Sequence, residues 1–279
     1  MSLEKNKEIK ESIIKEFGKT KGTFALAFKE LTPGGEIIFI RENEFFHAAS
    51  TIKTSLMIEV FAQVQKGKLN LEDTVLIKNE FKSIIDGSVY SLNMSDDGGE
   101  ELYNFVNKPK SIYELVYYMI TVSSNLASNI LVEIVGAKNV METLKSMGVN
   151  NTKIIRGVED LKAFELGKNN ITTAYDLLTI FEIIALKKII SEKACDEMIK
   201  ILSEQKCNSV IPAKLPSNVV VAHKTGTIMG VVHDSGIIYL PDGRKYILII
   251  LSKDLNDMQA GTNVCANVSR MLYDCFQSK

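Results

Sequence analysis

With 279 residues the chain is long enough for one large domain or two intimate subdomains, and its 33 Lys and Arg nearly cancel its 34 Asp and Glu. That balance, with a hydrophobic content ordinary for a globular protein, suggests no nucleic acid or other polyanion as a partner. No stretch approaches the roughly 20 apolar residues of a membrane-spanning helix.

In chain order, Glu8 to Phe17 reads as an amphipathic helix. Thr23–Leu31 alternates towards a strand and Gly35–Arg41 forms another, joined by the turn Thr32-Pro33-Gly34-Gly35. After Lys53, the residues Leu56, Met57, Val60, Phe61 and Val64 recur at helical spacing, and Gly67 marks the stop. Lys110–Gly136 reads as helices, with Asn139–Met147, Thr173–Lys187 and Ser191–Ser203 following, the last with Cys195 and Met198 facing inward. Val219–His223, Val231–Leu240 and Lys245–Ser252 are apolar strands, and Pro241-Asp242-Gly243 makes the hairpin between the latter two. Cys265–Phe276 closes the chain as a helix. Strands gathered at both ends with helices between them make an α/β (α+β) fold without repeats or linkers.

The four cysteines, Cys195, Cys207, Cys265 and Cys275, form no C-x-x-C pair and read as mostly buried free thiols, as expected in a reducing compartment. His47, His223 and His233 form no ligand pair, so neither a metal nor a cofactor is expected, and His223 and His233 read as structural. The first residues, MSLEKNKEIKESIIKEF, are charged and contain no apolar run of signal-peptide length.

Three short segments carry chemistry. In Ser50-Thr51-Ile52-Lys53, positions i and i+3 of a helix put the Lys53 amine beside the Ser50 hydroxyl. A serine is a poor nucleophile until a base takes its proton, and a lysine becomes a base when burial or a neighbouring cation lowers its pKa. Ser50 is expected at a helix N-terminus, where free N–H groups favour developing negative charge. Read alone, the segment also fits a serine cap on an ordinary amphipathic helix with Lys53 in solvent. Ser123-Ser124-Asn125 lies between helices, where local caps would equally explain it. Lys224-Thr225-Gly226-Thr227 sits on a strand, after its apolar stretch Val219–His223; the strand edge can lend a backbone N–H to an oxyanion, Gly226 permits close approach, and Lys224 and Thr225 suit a carboxylate.

Together these segments resemble the S-x-x-K, S-D-N and K-T-G motifs of class A β-lactamases and penicillin-binding proteins. The resemblance runs from the first strands to the last helix. It implies a five-stranded antiparallel sheet built from both chain ends and flanked by helices, with an inserted helical subdomain. The sheet subdomain would span about 1–49 and 205–279, and the helical subdomain about 50–204. Ser50 would be the nucleophile, Lys53 its base, and Ser123 the proton shuttle to the leaving nitrogen. Asn125 would hold Lys53 and the substrate amide, Lys224, Thr225 and Gly226 would line the substrate site, and the N–H groups of Ser50 and Thr227 would form the oxyanion hole. Ser124 stands where the family usually has Asp, which bears on rigidity more than on catalysis.

A fourth family feature, the glutamate of an E-x-x-L-N loop that activates the deacylating water, is degenerate here. The corresponding stretch runs from Arg156 to Gly167 and leads to Asn170-Ile171-Thr172-Thr173. Glu159 is the best placed relative to the Thr pair, with Asp160 and Glu165 as alternatives, and solvated loop carboxylates remain the plain reading. Three functions follow: a serine β-lactamase, a penicillin-binding-type peptidase or other serine acyl hydrolase that deacylates slowly, or a non-catalytic acylated sensor. The expected partner is a small β-lactam or a cell-wall peptide-like molecule, met by a monomer. The resemblance implies export, and the sequence leaves the location open.

Overall fold

The structure, a computed structural model, describes residues 3–277. Helix α1 (Leu3–Phe17) leads into β1 (Thr23–Glu30) and β2 (Ile37–Ile40), and the chain returns to the same sheet only with β9 (Val220–Ile228), β10 (Val231–Tyr239) and β11 (Lys245–Lys253). The sheet is antiparallel with order β2-β1-β11-β10-β9, so strands from the two ends of the chain meet at its centre. β1 pairs with β11 from Thr23 opposite Lys253 to Glu30 opposite Tyr246. The expected five-stranded architecture is therefore present.

Both faces of this sheet are covered, which is why β11 reads as an unbroken apolar run. Tyr246, Leu248 and Ile250 point with Phe24, Leu26 and Phe28 into a core shared with α1 and the last helix, α9 (Met258–Gln277). Ile247, Ile249 and Leu251 point with Ala25 and Ala27 into the larger core on the other face. That core is filled by α2 (Ile52–Gln65), α3 (Ile112–Thr121), α4 (Asn125–Val135), α5 (Ala137–Ser146), α7 (Ala174–Ala185) and α8 (Glu192–Ser203). A short α6 (Leu161–Glu165) lies in the loop between α5 and α7.

α2 is the axis of this half. Every residue from Ile52 to Gln63 is buried, the polar Lys53, Thr54, Ser55 and Glu59 included, so it is a core helix and not the surface amphipathic helix its apolar spacing also allowed. Ser50 sits two residues before it, inside a 3₁₀ turn over Ala49–Thr51 that runs directly into α2.

Some boundaries differ from expectation. β9 continues past His223 to Ile228, so Lys224-Thr225-Gly226-Thr227 lies within the strand, because pairing with β10 persists to Val231 opposite Ile228. α9 starts at Met258, where Asp257 Oδ1 accepts from Ala260 N (2.9 Å); that polar first turn carries no apolar periodicity to announce it. The stretch between α2 and α3 contains β4 (Thr74–Leu76), β5 (Phe81–Lys82), β6 (Val89–Tyr90) and β7 (Pro109–Ser111), pieces too short for a period-2 signal. Likewise β3 (Phe46–His47) pairs with β8 (Ile171–Thr172). Among the described residues no helix is long and apolar enough to cross a membrane. None of the four cysteines is in a disulfide; Cys195 and Cys265 are buried, Cys207 is exposed.

Candidate active site

Ser50 lies on the wall between two adjoining cavities of about 600 and 390 Å³. Its turn is held on every side. Thr51 returns both N and Oγ1 to Ala48 O (3.1 and 2.6 Å), Ala48 N donates to Asn170 O (2.9 Å), and Ala49 N donates to His47 Nδ1 (3.1 Å). That last bond leaves the imidazole proton on His47 Nε2. His233, fully buried, accepts from Ser252 N at Nδ1 and so donates from Nε2 to His47 O (2.9 Å); burial pushes its pKa down to about 4 and keeps it neutral. Ala49 itself is forced to φ 46°, a left-handed conformation costly for a residue with a Cβ.

The edge strand β9 closes on this turn. A Cβ on Gly226 would stand 3.2 Å from Ser50 N and from Ala49 Cβ, a contact tight enough to press the strand and the turn apart by a few tenths of an ångström. Thr227 lines both cavities with Ser50, and Thr225 lines the smaller one. Gly236 on β10, opposite His223, meets the same demand from behind: a Cβ there would lie 2.6 Å from His223 Cβ. His223 is tied to Asp234 (Nδ1 to Oδ1, 2.9 Å) and Asn208, a buried pair behind the strand.

Lys53 is completely buried, and its Nζ donates to Ser123 O (2.6 Å), Asn125 Oδ1 (2.8 Å) and, more distantly, Ser123 Oγ (3.3 Å). Burial, and after it the positive charge of Lys224, push the Lys53 amine well below the ordinary lysine value of 10.5. A neutral amine keeps two N–H bonds and gains a lone pair. The two short contacts can absorb both protons, leaving the lone pair available to a hydroxyl.

Lys224 is also buried, with its pKa lowered by burial to about 8. Its Nζ donates to Ser123 Oγ (3.0 Å) and Thr225 O (3.0 Å), so it reaches the second motif and not the open cleft. Ser123 Oγ thus accepts from Lys224, and from Lys53 as well while Lys53 is protonated; once Lys53 is neutral the Ser123 hydrogen can face its lone pair. Ser123 occupies φ 60°, and Glu159 occupies φ 62°. With Ala49, three of the left-handed non-glycine residues fall at this site.

Of the three loop carboxylates, Glu159 lines the larger cavity and receives the Asn125 Nδ2 proton at Oε1 (2.6 Å). Burial raises its pKa. Asp160 also borders that cavity but is buried and fully engaged: it caps α6 through Ala163 N and accepts from Ser83 Oγ and Ile84 N. Glu165 is exposed on α6. Positions three and four after Glu159 are Lys162 and Ala163, and Asn170 does not replace the missing amide, because its Oδ1 accepts from Ile155 N and Arg156 N while its Nδ2 donates to Arg156 O.

A family model described as the β-lactamase enzyme family matches residues 5–276. The chain belongs to that family. It is 26% identical to the extended-spectrum β-lactamase PER-1 of Pseudomonas aeruginosa, over 85% of this chain and 78% of that one. It is 22% identical to a β-lactamase of Bacteroides uniformis, over 88% and 84%. Among solved structures, an acyl-enzyme complex of a PBP-A variant with penicillin-G superposes with a TM-score of 0.82 at 26% identity, covering 100% of this chain and 98% of that one. The β-lactamase of Sphaerobacter thermophilus superposes at 0.81 and 22% identity, covering 98% and 97%, and shares the fold.

Several residues that build this β-lactamase-family site were not singled out from sequence. Arg156 staples its loop shut by donating to Lys168 O, Gly157 O and Asn169 Oδ1 (2.8, 3.0 and 3.1 Å). Asn129 grips the residue before Glu159 from both ends, accepting from Val158 N (2.7 Å) and donating to Val158 O (3.0 Å). A Cβ on Gly157 would lie 2.5 Å from Asn129 Oδ1, so the glycine admits this contact. Asp97 is the third; its carboxylate accepts from Asn125 N and Leu126 N at the start of α4 (2.9 and 2.8 Å). The one signal in sequence for Asn129 was its place four residues, one helical turn, after Asn125.

Proposed function

We propose that this chain is a serine β-lactamase in which Ser50 carries the acyl-enzyme and Glu159 releases it. The observation that carries the reading is the Asn125 side chain, which touches Lys53 with its oxygen and Glu159 with its nitrogen. One amide therefore aligns the candidate base of acylation with that of deacylation.

In acylation, the neutral Lys53 amine takes the Ser50 hydroxyl proton as Oγ attacks the lactam carbonyl. The N–H groups of Ser50 and Thr227 receive the oxyanion, the C–N bond breaks, and the nitrogen takes the Ser123 Oγ proton. Lys53 returns its proton to Ser123 across the contact between them. In deacylation, Glu159 takes a proton from water as the oxygen attacks the ester carbonyl, and Ser50 leaves with that proton. The raised pKa of Glu159 makes it a better proton acceptor than an ordinary carboxylate, provided it is ionised.

Thr225 and Thr227 would meet the substrate carboxylate, with the Lys224 charge behind them. We read the chain as a sheet portion, about 1–49 and 205–279, and a helical portion, about 50–204, with Ser50 and α2 at their junction beside β9.

Incubation with a chromogenic cephalosporin, followed by intact-protein mass spectrometry, tests this. Many turnovers per protein are expected, with a transient adduct that Ser50→Ala lacks. One stoichiometric burst would instead place the chain among slowly deacylating penicillin-binding-type proteins, and no adduct at all would remove the acyl-enzyme reading.

A further inference from the structure

Ser124 stands where the family motif carries a carboxylate, yet the loop around it is not short of one. Asp97, nearly fully buried, comes from a separate segment and takes five hydrogen bonds on its two oxygens. Oδ1 accepts from Gly99 N (2.8 Å) and Asn125 N (2.9 Å), and Oδ2 from Leu126 N (2.8 Å), Tyr103 OH (3.0 Å) and Ser124 Oγ (3.3 Å). Two of those donors are the first free N–H groups of α4, including the backbone of Asn125 itself.

The packing is built around that carboxylate. A Cβ on Gly98 would lie 2.2 Å from Val122 O, and one on Gly99 would lie 2.4 Å from Ser124 Cβ. The Asp97-Gly98-Gly99 segment therefore lies flush against the loop that holds Ser123, and it fits only because its two following residues have no side chain and Ser124 has a small one. Ser124 Oγ points at Asp97 and also caps α4 through Ala127 N (3.2 Å).

We propose that Asp97 is the positioning residue of the second motif: it supplies from outside the motif the carboxylate that fixes Ser123 and Asn125 against Lys53. The small Ser124 and the Gly98-Gly99 pair are the counterpart of that relocation, since a carboxylate at both 97 and 124 would set two like charges in one buried site. The Asp97 charge also faces both bases. Lys53 sees it together with Lys224, Glu159 and Cys207, and Glu159 sees it together with Asp96 and Lys53. Removing one negative charge disfavours the ammonium form of Lys53 and favours the carboxylate form of Glu159, so both pKa values fall.

The proposal rests on the acyl-enzyme reading, and the test separates the two. Asp97→Asn keeps the shape but turns an NH₂ towards donors. Acylation by the chromogenic cephalosporin is expected to slow at least tenfold, with the acid limb of its pH profile moved to lower pH, which a simple loss of packing would not do. Asp97→Ala with Ser124→Asp returns the carboxylate to the motif and is expected to acylate faster than Asp97→Ala alone. Wild-type rate and an unmoved limb in Asp97→Asn, or no recovery in the double variant, overturns the proposal. If Asp97→Asn does not fold, Ser124→Asp decides: loss of acylation supports the proposal and a wild-type rate overturns it. Hydrogen exchange at the Asn125 and Leu126 amides needs no turnover; faster exchange in Asp97→Asn supports the role and unchanged protection overturns it, even where a wild type unlabelled by cephalosporin had removed the acyl-enzyme reading.

Discussion

The two walls of the cleft are held in place by different physics. The wall carrying Ser50 and Lys224–Thr227 is built from regular structure: a core helix buried all round, a strand in register with its neighbour, and a glycine admitting the two to contact. The wall carrying Ser123, Asn125 and Glu159 is irregular, and side chains from distant segments tie its backbone down: Asp97 and Asn129 to α4 and the Glu159 loop, Arg156 and Asn170 across the loop base. The first wall cannot shift without disturbing the core. The second depends on a few hydrogen bonds, each replaceable singly, so acylation and deacylation should respond to mutation separately.

The largest expected break is on the first wall. Lys53→Ala removes the proposed base of acylation and leaves Ser123 O and Asn125 Oδ1 without their donor; the acylation rate, followed by stopped-flow with a chromogenic cephalosporin, is expected to fall about 10²–10⁴-fold. On the second wall, Glu159→Gln should leave acylation nearly unchanged, because an amide oxygen can still accept from Asn125 Nδ2, while the acyl-enzyme accumulates. Mass spectrometry minutes after mixing reads this directly. Normal turnover by the Gln variant would leave Glu159 a spectator.

Smaller effects sharpen the contrast. His233 supports the first wall in its neutral form. Its folded pKa of about 4 lies below the ordinary 6.5, so the unfolded chain takes up a proton over a range where the folded one does not. Stability present above pH 6.5 is therefore lost as pH falls towards 4, by on the order of 2–3 kcal/mol. Urea midpoints at pH 7.5 and 4.5 should differ less in His233→Gln than in wild type. Asn129→Ala leaves Val158 N without its acceptor and Val158 O with only the longer bond from Tyr90 OH (3.3 Å), at a cost of about 1–3 kcal/mol. It should lower the deacylation rate more than the acylation rate; an equal loss in both would mean that the two walls are not separable.

The same division decides what the sequence discloses. Ser50 and Lys53 are three residues apart at the start of one helical run, and Lys224 to Thr227 are consecutive on a strand, so spacing made them candidates and the resemblance to the three family motifs singled them out. Glu159 was named from its distance to Thr172-Thr173, and the pairing of Thr172 with Phe46 of β3 anchors that end of the loop. Asp97 was not, because its partners in the second motif are 28 and 29 residues away and a carboxylate before two glycines reads as an ordinary turn. The burial of Lys224 behind Ser123 was hidden for a related reason: strand alternation tells which face a side chain takes, not which loop lies across it.

The central pairing of β1 with β11 also governs how the molecule can be made. Thr23 meets Lys253 and Glu30 meets Tyr246, contacts that span more than 200 residues of chain. Closing so long a loop precedes any reward from the sheet, so assembly of the barrier-crossing state is expected to be slow for a chain of this size. During synthesis the apolar residues of β1, among them Phe24, Leu26 and Phe28, have no sheet neighbour but β2 until the very end of the chain emerges. A chain stopped before Lys245 would leave that strand edge open, a template for pairing with another copy.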